Sequence, residues 1–228
     1  MLVTAVEATA YGTNCYVLGT GTGQECVVVD PGIGVMKRLD EVLAEHRLQP
    51  VAVLLTHGHL DHTFSVAPVC GARGIPAYVH PRDRELLADP AKGLSREFAR
   101  LFGRLPYTEP EDVLELPDGG PITVAGLEIT VDHAPGHTAG SVLFRTVAEE
   151  ALCLSGDVLF AGSIGRTDLP GGSMPQMLAS LRTKILTLDD QTVVLPGHGP
   201  ATMIGRERAT NPYLLELREH PGAKIRGL

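Results

Sequence analysis

The sequence predicts an α/β fold, an αββα sandwich in which two mixed β-sheets pack face to face with helices on the outside. Two observations predict it. Short apolar, β-rich runs alternate with helix-period stretches over 228 residues. This order occurs twice, on either side of a passage marked by Pro106, Pro110, Pro117 and Pro121. Because sheets and helices bury their apolar faces by packing in layers, residues 1–228 are expected to form a single domain of this kind.

The first half is predicted to begin with three strands and an amphipathic helix. The helix is expected at Val35–His46, because Leu39, Val42 and Leu43 fall on one of its faces. The strands expected in this half are Leu2–Glu7, Asn14–Leu18, Glu25–Val29, Val51–Leu55 and Ile75–Val79. The later helices are Thr63–Arg73, Arg82–Leu87 and Ser95–Leu101.

The second half is predicted to repeat this plan. The proline-marked passage before it contains Val113, Leu114 and Leu116, which favour an ordered crossing loop over a flexible linker. The strands expected here are Ile122–Val124, Leu127–Val131, Val142–Thr146, Ala151–Leu154 and Thr192–Leu195, and the helices are Met174–Leu186 and Arg206–Arg218.

A dense group of metal-ligand residues follows the apolar run Val51–Leu55. His57, His59, Asp61 and His62 form a His-x-His-x-Asp-His motif. Imidazole suits zinc and iron, and a carboxylate compensates their charge. Four ligands from so short a loop do not all reach one ion, whereas His57 with His59 and Asp61 with His62 could serve two.

Three further candidate ligands come after other predicted strands, each directly preceded by a glycine. They are His137 in Pro-Gly-His, Asp157 in Ser-Gly-Asp and His198 in a second Pro-Gly-His. Glycine allows close backbone approach, and loops on a rigid sheet are where sites are built. The four loops together therefore predict a metal site along one edge of the sandwich.

Composition and charge exclude several classes of partner. The net charge of -8 and the 4% aromatic content disfavour nucleic acid. The four cysteines show no Cys-x-x-Cys pair, which favours reduced, buried thiols. No run of eighteen apolar residues indicates a membrane span, and the start shows no signal-peptide pattern. We therefore expect a cytoplasmic protein with a small-molecule substrate, and the sequence makes no prediction of its oligomeric state.

These motifs resemble the metallo-β-lactamase superfamily over most of the chain, and within it the short bacterial form of the glyoxalase II, or hydroxyacylglutathione hydrolase-like, group. Beyond the ligand motifs, the resemblance depends on Thr13-Asn14-Cys15-Tyr16, Val29-Asp30-Pro31-Gly32, Gly156–Phe160, Gly162–Leu169 and Asn211-Pro212-Tyr213-Leu214. It implies the metallo-β-lactamase fold, an αββα sandwich.

The resemblance also implies two divalent metal ions, zinc first, with iron or manganese as alternatives. One ion is expected on His57, His59 and His137, the second on Asp61, His62 and His198, and Asp157 is expected to bridge them. Asp157 and Asp61 are the expected catalytic residues, Asp61 as an acceptor of the water's proton. Asp30 either hydrogen-bonds the His57 loop or is a turn residue, and structural roles are expected for Thr138, Ser141, His80 and His133.

Arg166 is the candidate substrate-binding residue. It stands where longer glutathione-using enzymes of the resembled group carry a lysine followed shortly by a tyrosine. Here the residues are Arg166, Thr167 and Asp168, so a cation is kept but the tyrosine is missing. A structural salt bridge between Arg166 and Asp168 is the alternative interpretation.

The resemblance favours hydrolysis of a thioester, such as S-lactoylglutathione or a related thiol conjugate, by hydroxide that bridges two metals. One alternative is a persulfide dioxygenase with a single iron on His57, His137 and Asp157; another is a lactonase with the same two-metal site. A β-lactamase is disfavoured, because many zinc enzymes of that class place a cysteine where Asp157 stands. A binding module without catalysis would be favoured by an incomplete ligand set, and this set is complete.

Overall fold

Each half of the chain forms one six-stranded mixed sheet in the computed structural model, which describes residues 1–102, 107–147 and 149–219. The end of the predicted domain, 220–228, lies outside the described residues. The first sheet contains, in spatial order, β1 (Leu2–Glu7), β2 (Asn14–Gly19), β3 (Glu25–Val29), β4 (Gln49–Leu54), β5 (Ala77–Val79) and β6 (Val113–Glu115). The second contains, in reverse spatial order, β7 (Gly119–Val124), β8 (Leu127–His133), β9 (Val142–Val147), β10 (Ala151–Gly156), β11 (Val193–Pro196) and β12 (Thr202–Met203).

The helices of the described ranges connect these strands. They are α1 (Met36–His46), α2 (Leu60–Thr63), α3 (Val66–Arg73), α4 (Arg84–Ala88), α5 (Arg96–Phe102), α6 (Met174–Ser180), α7 (Ile204–Thr210) and α8 (Pro212–Glu219). None of them combines the length and the apolar composition that a membrane crossing requires.

Three apolar layers show that the predicted αββα sandwich is correct. Neighbouring strand residues point to opposite faces, and the clusters follow this alternation. Val28 packs in the layer between the first sheet and α1 and α3, while Val29 packs in the central layer between the sheets. In the second sheet, Phe144 belongs to the central layer and Leu143 to the layer under α6, α7 and α8.

The structure corrects several predicted element boundaries. The proline-marked passage, predicted as a loop, contains β6, which pairs in parallel with β5. The two-residue strand β12 was not predicted. The predicted helix Arg206–Arg218 is two helices, α7 and α8, separated at Asn211, because Pro212 has no backbone N–H to continue the first. The predicted helix Met174–Leu186 is α6 followed by a π-helical segment, Leu181–Ile185.

Backbone hydrogen bonds join the two sheets at the edge where the ligand loops lie. The N–H of Val142 donates to Thr56 O at 2.8 Å, and the N–H of Asn14 donates to Gly197 O at 2.8 Å. Within the second sheet, the N–H of Gly197 donates to Gly156 O at 2.9 Å. These contacts bring the ends of β4, β9, β10 and β11 together.

Candidate metal centre

The first ligand loop connects β4 to α2. It carries four of the candidate ligands, of which two precede α2 and two lie in its first turn: His57, His59, Asp61 and His62. The Asp30 carboxylate holds this loop in place. It accepts hydrogen bonds from the N–H of Thr56 at 2.8 Å and from the Thr56 hydroxyl at 2.6 Å. It also lies 3.0 Å from His62 Nδ1. Of the two interpretations of Asp30, the structure therefore shows the hydrogen-bonding one.

His137 lies in a tight connection between β8 and β9. Gly136, which precedes it, has a φ of +146°, and a Cβ there would collide with the backbone of Met177 in α6. Ser141 Oγ accepts a hydrogen bond from the N–H of Thr138 at 3.0 Å. The predicted structural roles of Thr138 and Ser141 are confirmed by this contact.

Asp157 and His198 follow the adjacent parallel strands β10 and β11. Position 197 requires glycine, because a Cβ there would collide with Asp157 Oδ1 and with the His62 ring. The glycine pattern seen in the sequence therefore has a steric cause here: two ligand-bearing loops pass each other with no room for a side chain.

The seven predicted ligands lie together at this edge. His59 Nδ1 is 2.8 Å from His137 Nε2, and His62 Nε2 is 3.1 Å from His198 Nε2. Asp61 Oδ2 lies 3.2 Å from His198 Nε2. Two ligand-sized triads that share no residue result, His57-His59-His137 and Asp61-His62-His198.

Asp157 stands between the two triads. Its Oδ1 is 3.4 Å from His62 Nε2. Its Oδ2 is 3.5 Å from His137 Nε2 and 3.6 Å from His198 Nε2. One carboxylate thus contacts histidines of both triads, and its Oδ2 lies near one histidine of each.

Outer hydrogen bonds orient four of the five imidazoles. Nδ1 of His57 lies 3.0 Å from the Thr56 hydroxyl, and the corresponding atom of His62 faces Asp30. Nδ1 of His137 faces Arg166 O at 2.8 Å, and that of His198 faces Tyr11 O at 3.1 Å. A proton on Nδ1 leaves the Nε2 lone pair facing the centre, which is how metal-binding histidines are usually held.

The residues fit two cations. Nε2 of His57 and Oδ1 of Asp157 are buried and have no hydrogen-bond partner in the described part of the chain. Buried polar atoms are ordinarily paired, and here the unpaired ones face the centre of a cluster of imidazoles and carboxylates. Divalent ions between these groups would satisfy them.

The electrostatics of the site favour neutral imidazoles at His57 and His59. Burial lowers the pKa of His57 well below its ordinary value, and burial followed by the charge of a neighbouring imidazole lowers that of His59. Burial would also lower the pKa of His62, but the carboxylates of Asp157 and Asp61 raise it well above its ordinary value. Neutral His57 and His59 offer lone pairs to a cation.

Asp83 is a site residue that the sequence analysis missed. Its fully buried carboxylate accepts hydrogen bonds from the N–H of Gly58 at 2.8 Å, the hydroxyl of Thr138 at 2.6 Å and the N–H of Gly140 at 2.6 Å. These donors belong to the first ligand loop and to the His137 loop. Asp83 therefore joins the two loops that carry the first triad.

Arg166 lines the cleft at the triads, which has a volume of about 300 Å³. Its side chain is 60% exposed. Its guanidinium forms a bidentate pair with Asp168, so the salt bridge considered as an alternative is present. Its backbone carbonyl orients His137, so Arg166 contributes to the site through its main chain as well.

A third histidine cluster lies outside the centre. The rings of His80 and His133 stack in parallel, with centroids 4.1 Å apart and an interplanar angle of 7°. His80 Nε2 lies 2.8 Å from Asp118 Oδ1, and His133 Nε2 lies 2.9 Å from Ala139 O. In-plane lone pairs of parallel rings do not converge on one ion, so a structural role, as predicted for both histidines, accounts for this cluster.

A family model described as the Metallo-beta-lactamase superfamily matches residues 8–198. An uncharacterized protein of Mycobacterium tuberculosis is 48% identical, over 94% of this chain and 98% of its own. Hydroxyacylglutathione hydrolase GloC of Haemophilus influenzae is 33% identical, over 94% of this chain and 98% of its own.

Two solved structures are also similar. The crystal structure of BLEG-1 B3 metallo-beta-lactamase is 40% identical, with a TM-score of 0.82 over 93% of this chain and 99% of its own. That of TTHA1623 in a di-iron-bound form is 38% identical, with a TM-score of 0.78 over 92% of this chain and 100% of its own.

Proposed function

Because the chain belongs to the metallo-beta-lactamase superfamily, we propose that it is a dinuclear metal-dependent hydrolase that cleaves thioesters. The substrate would be a hydroxyacyl-thiol such as S-lactoylglutathione or a related thiol conjugate. The proposal includes a cytoplasmic location and no nucleic-acid or membrane partner. Zinc is the first choice of metal in this proposal, and iron and manganese are the alternatives. The di-iron form of the 38% identical structure supports iron as one of these alternatives.

The observation that carries the proposal is the position of Asp157. Its carboxylate lies within 3.6 Å of histidines of both triads, which is the arrangement that a bridging carboxylate needs in a two-metal hydrolase. His57, His59 and His137 would hold one ion, and Asp61, His62 and His198 the other. When bound, the ions would supply a Lewis acid for the carbonyl oxygen and a water with a lowered pKa.

Asp61 is the proposed proton acceptor. Burial opposes its ionisation, but the charge of His62 and a hydrogen bond from His198 outweigh this and lower its pKa. The carboxylate is therefore ionised at neutral pH. It lies at the cleft surface beside Leu60, where it would accept a proton from attacking water to the extent that its ligation of a metal allows.

The preference for a thioester follows from the leaving group. A thiol with a pKa near 8.5 departs as thiolate without a proton. An alcohol needs a general acid, whose contribution is typically about 10²–10⁴-fold, and the titratable groups around Asp157 are occupied as candidate ligands. The similarity to the Haemophilus influenzae hydrolase supports the same substrate class.

The scissile bond can be tested with one acyl group on different leaving groups. D-lactoyl esters of a thiol and of an alcohol, a D-lactoyl amide and a lactone would be compared by kcat/KM, with Asp157→Ala as the control for contaminating esterases. We expect the thioester to be cleaved at least about 10²-fold faster than the oxygen ester.

A cephalosporin belongs in the same panel, because one of the similar solved structures, 40% identical to this chain, is that of a B3 metallo-beta-lactamase. Faster cleavage of the oxygen ester or lactone would replace the thioesterase with a lactonase. Faster cleavage of the cephalosporin would replace it with a β-lactamase.

Metal content separates the hydrolase from the dioxygenase alternative. Elemental analysis after gentle purification should give close to two metals per chain. Two results together would support the dioxygenase. The metal content would be one iron per chain and would not rise when zinc or manganese is added, and the protein would consume oxygen when a persulfide is supplied.

A further inference from the structure

Given the proposed thioesterase function, we infer that the cleft selects a thioester whose thiol carrier has no net charge, and that Asp168 sets this preference by engaging Arg166. The inference goes beyond the reaction itself, because it names the substrate class by charge. It also assigns a specificity role to a residue outside the ligand set.

The walls of the cleft around the candidate ligands are mainly apolar. They are formed by Ile33, Leu60, Leu94, Phe98 and Leu169. Arg166 is the one lysine or arginine among the described residues that line the cleft. A carboxylate loses favourable hydration against an apolar surface, and this loss is unfavourable unless a cation pairs with the carboxylate. The side chains of Arg166 and Asp168 are 60% and 68% exposed, so a carrier carboxylate near them keeps part of its hydration and gains a modest stabilisation from Arg166 if Arg166 is available.

Arg166 is already engaged by a residue two positions along the chain. Its Nε donates to Asp168 Oδ1 at 2.7 Å, and its Nη2 donates to Asp168 Oδ2 at 2.8 Å. This is the bidentate geometry in which a guanidinium binds a carboxylate most strongly. The pair as a whole carries no net charge.

The backbone of Arg166 lies beside the candidate metal centre. Arg166 O lies 2.8 Å from His137 Nδ1. A Cβ on Gly165 would collide with the carbonyl oxygen of Asp157, so the segment packs tightly against that ligand. The Arg166 side chain thus starts from a fixed point at the cleft, with Asp168 next to it.

A carboxylate on a carrier would have to displace Asp168 from Arg166. The short covalent connection keeps Asp168 at a high effective concentration, so the exchange gains little. A neutral carrier displaces nothing. The guanidinium has five N–H donors, of which the pair uses two, and an amide carbonyl of a neutral carrier could accept from the others.

The test compares one acyl group on two carriers. S-D-lactoylglutathione is the anionic probe, and S-D-lactoyl-N-acetylcysteamine is the neutral one. Asp168→Asn should lower the ratio of KM for the anionic probe to KM for the neutral probe about three- to fivefold, the scale of an exposed charge pair. The double variant Asp168→Asn/Arg166→Met should restore the ratio. The matched control is Asp190→Asn, which removes an exposed carboxylate paired with Arg208 and should leave the ratio unchanged.

The opposite pattern would overturn the inference. If Arg166→Met alone raises KM for the glutathione thioester severalfold, and Asp168→Asn leaves the ratio as it was, then Arg166 binds carrier carboxylates in the unmodified protein. An unchanged ratio in every variant would also contradict it, because the pair would then have no effect on carrier choice.

A binding measurement separates this inference from the proposed function. S-propylglutathione and S-propyl-N-acetylcysteamine are thioethers that hydrolysis cannot consume, and their Kd values can be measured on metal-loaded protein by calorimetry. The Kd ratio should follow the same order among the variants. If neither thioester is hydrolysed but the Kd ratio shifts as expected, the thioesterase proposal fails while the charge selection is upheld.

Discussion

Among the candidate ligands, Asp157 differs from the histidines because its carboxylate contacts both triads. Oδ1 is 3.4 Å from His62 Nε2, and Oδ2 is 3.5 Å from His137 Nε2. Of the triads His57-His59-His137 and Asp61-His62-His198, each histidine belongs to one. The loss of Asp157 is therefore expected to weaken the binding of both metals, whereas the loss of His62 should weaken the binding of one.

Asp157→Ala should reduce activity more than His62→Ala does. We expect metal content to fall below one per chain in the first variant and to remain near one in the second. The fall in kcat should be at least about tenfold larger for Asp157→Ala, since even the outer partners of a metal site change affinity or activity by that factor. His46→Ala, in α1, is the control. Equal losses, with one metal retained in both variants, would argue against bridging.

The ligands could be predicted from the sequence, but Asp83 could not. Each ligand is adjacent to a glycine-marked strand end or lies in the dense His57–His62 motif, so a local signal exists. The donors to Asp83 are 25 residues away at Gly58 and 55 residues away at Thr138. Nothing near Asp83 in the chain marks these contacts, which exist only once the sheets are packed.

At the scale of elements, the first triad depends on two loops from different sheets. His57 and His59 follow β4 of the first sheet, and His137 follows β8 of the second. The segment that precedes α4 supplies Asp83, which accepts hydrogen bonds from both loops. This carboxylate thus fixes the distance across which the triad forms.

Asp83→Asn should weaken metal binding by the first triad. An amide in place of the carboxylate cannot accept from all three donors, and a buried donor left unpaired costs about 1–3 kcal/mol. We expect cobalt titration of the metal-free variant to give a dissociation constant about 10–100-fold higher, with altered visible absorption bands that report on ligand geometry.

Glu207→Gln is the matched control for Asp83→Asn. Glu207 is equally buried and accepts three hydrogen bonds, from Gly162, Thr202 and Asn211, none of which lies in the two ligand loops. If both variants lose stability alike and keep the cobalt spectrum of the unmodified protein, Asp83 serves stability and does not position the triad.

Long amphipathic elements were predicted well, and short ones that depend on pairing were not. α1 follows from the apolar face formed by Leu39, Val42 and Leu43, and β4 from a continuous apolar run. β6 and β12 have three and two residues, too few for a periodic signal. They are strands because β5 and β11 offer them hydrogen-bonding edges.

At the scale of the whole molecule, the cysteines are part of the packed layers. Cys15, Cys26 and Cys70 lie in the layer between the first sheet and its helices, and Cys153 lies in the layer beyond the second sheet. All four are buried free thiols, as the sequence predicts. The folding of both halves therefore removes thiols from water.

This burial predicts that stability falls as pH rises above about 9. Burial raises the pKa of Cys153 from 9.0 to about 12, and it raises those of Cys26 and Cys70 to about 12. Above pH 9 the unfolded chain releases these protons and the folded chain keeps them. The free energy of unfolding should therefore fall by up to about 1.4 kcal/mol per pH unit for each thiol, until the folded-state pKa is reached. Below pH 9 these thiols are protonated in both the folded and the unfolded chain, so they do not make the free energy of unfolding depend on pH.

Urea unfolding of chelator-treated, reduced protein at pH 8, 9, 10 and 10.5 measures this slope. Lysine and tyrosine side chains also titrate near the upper end of that range, so the decisive quantity is a difference between two proteins. Cys153→Ala lowers stability at every pH because packing is lost. Above pH 9, however, the decrease in the free energy of unfolding with pH should be smaller in this variant by the contribution of one proton, up to about 1.4 kcal/mol per pH unit. An identical slope in the two proteins would mean that the buried thiol ionises as readily as it does in the unfolded chain, and would contradict the packing of Cys153 between the second sheet and its helices.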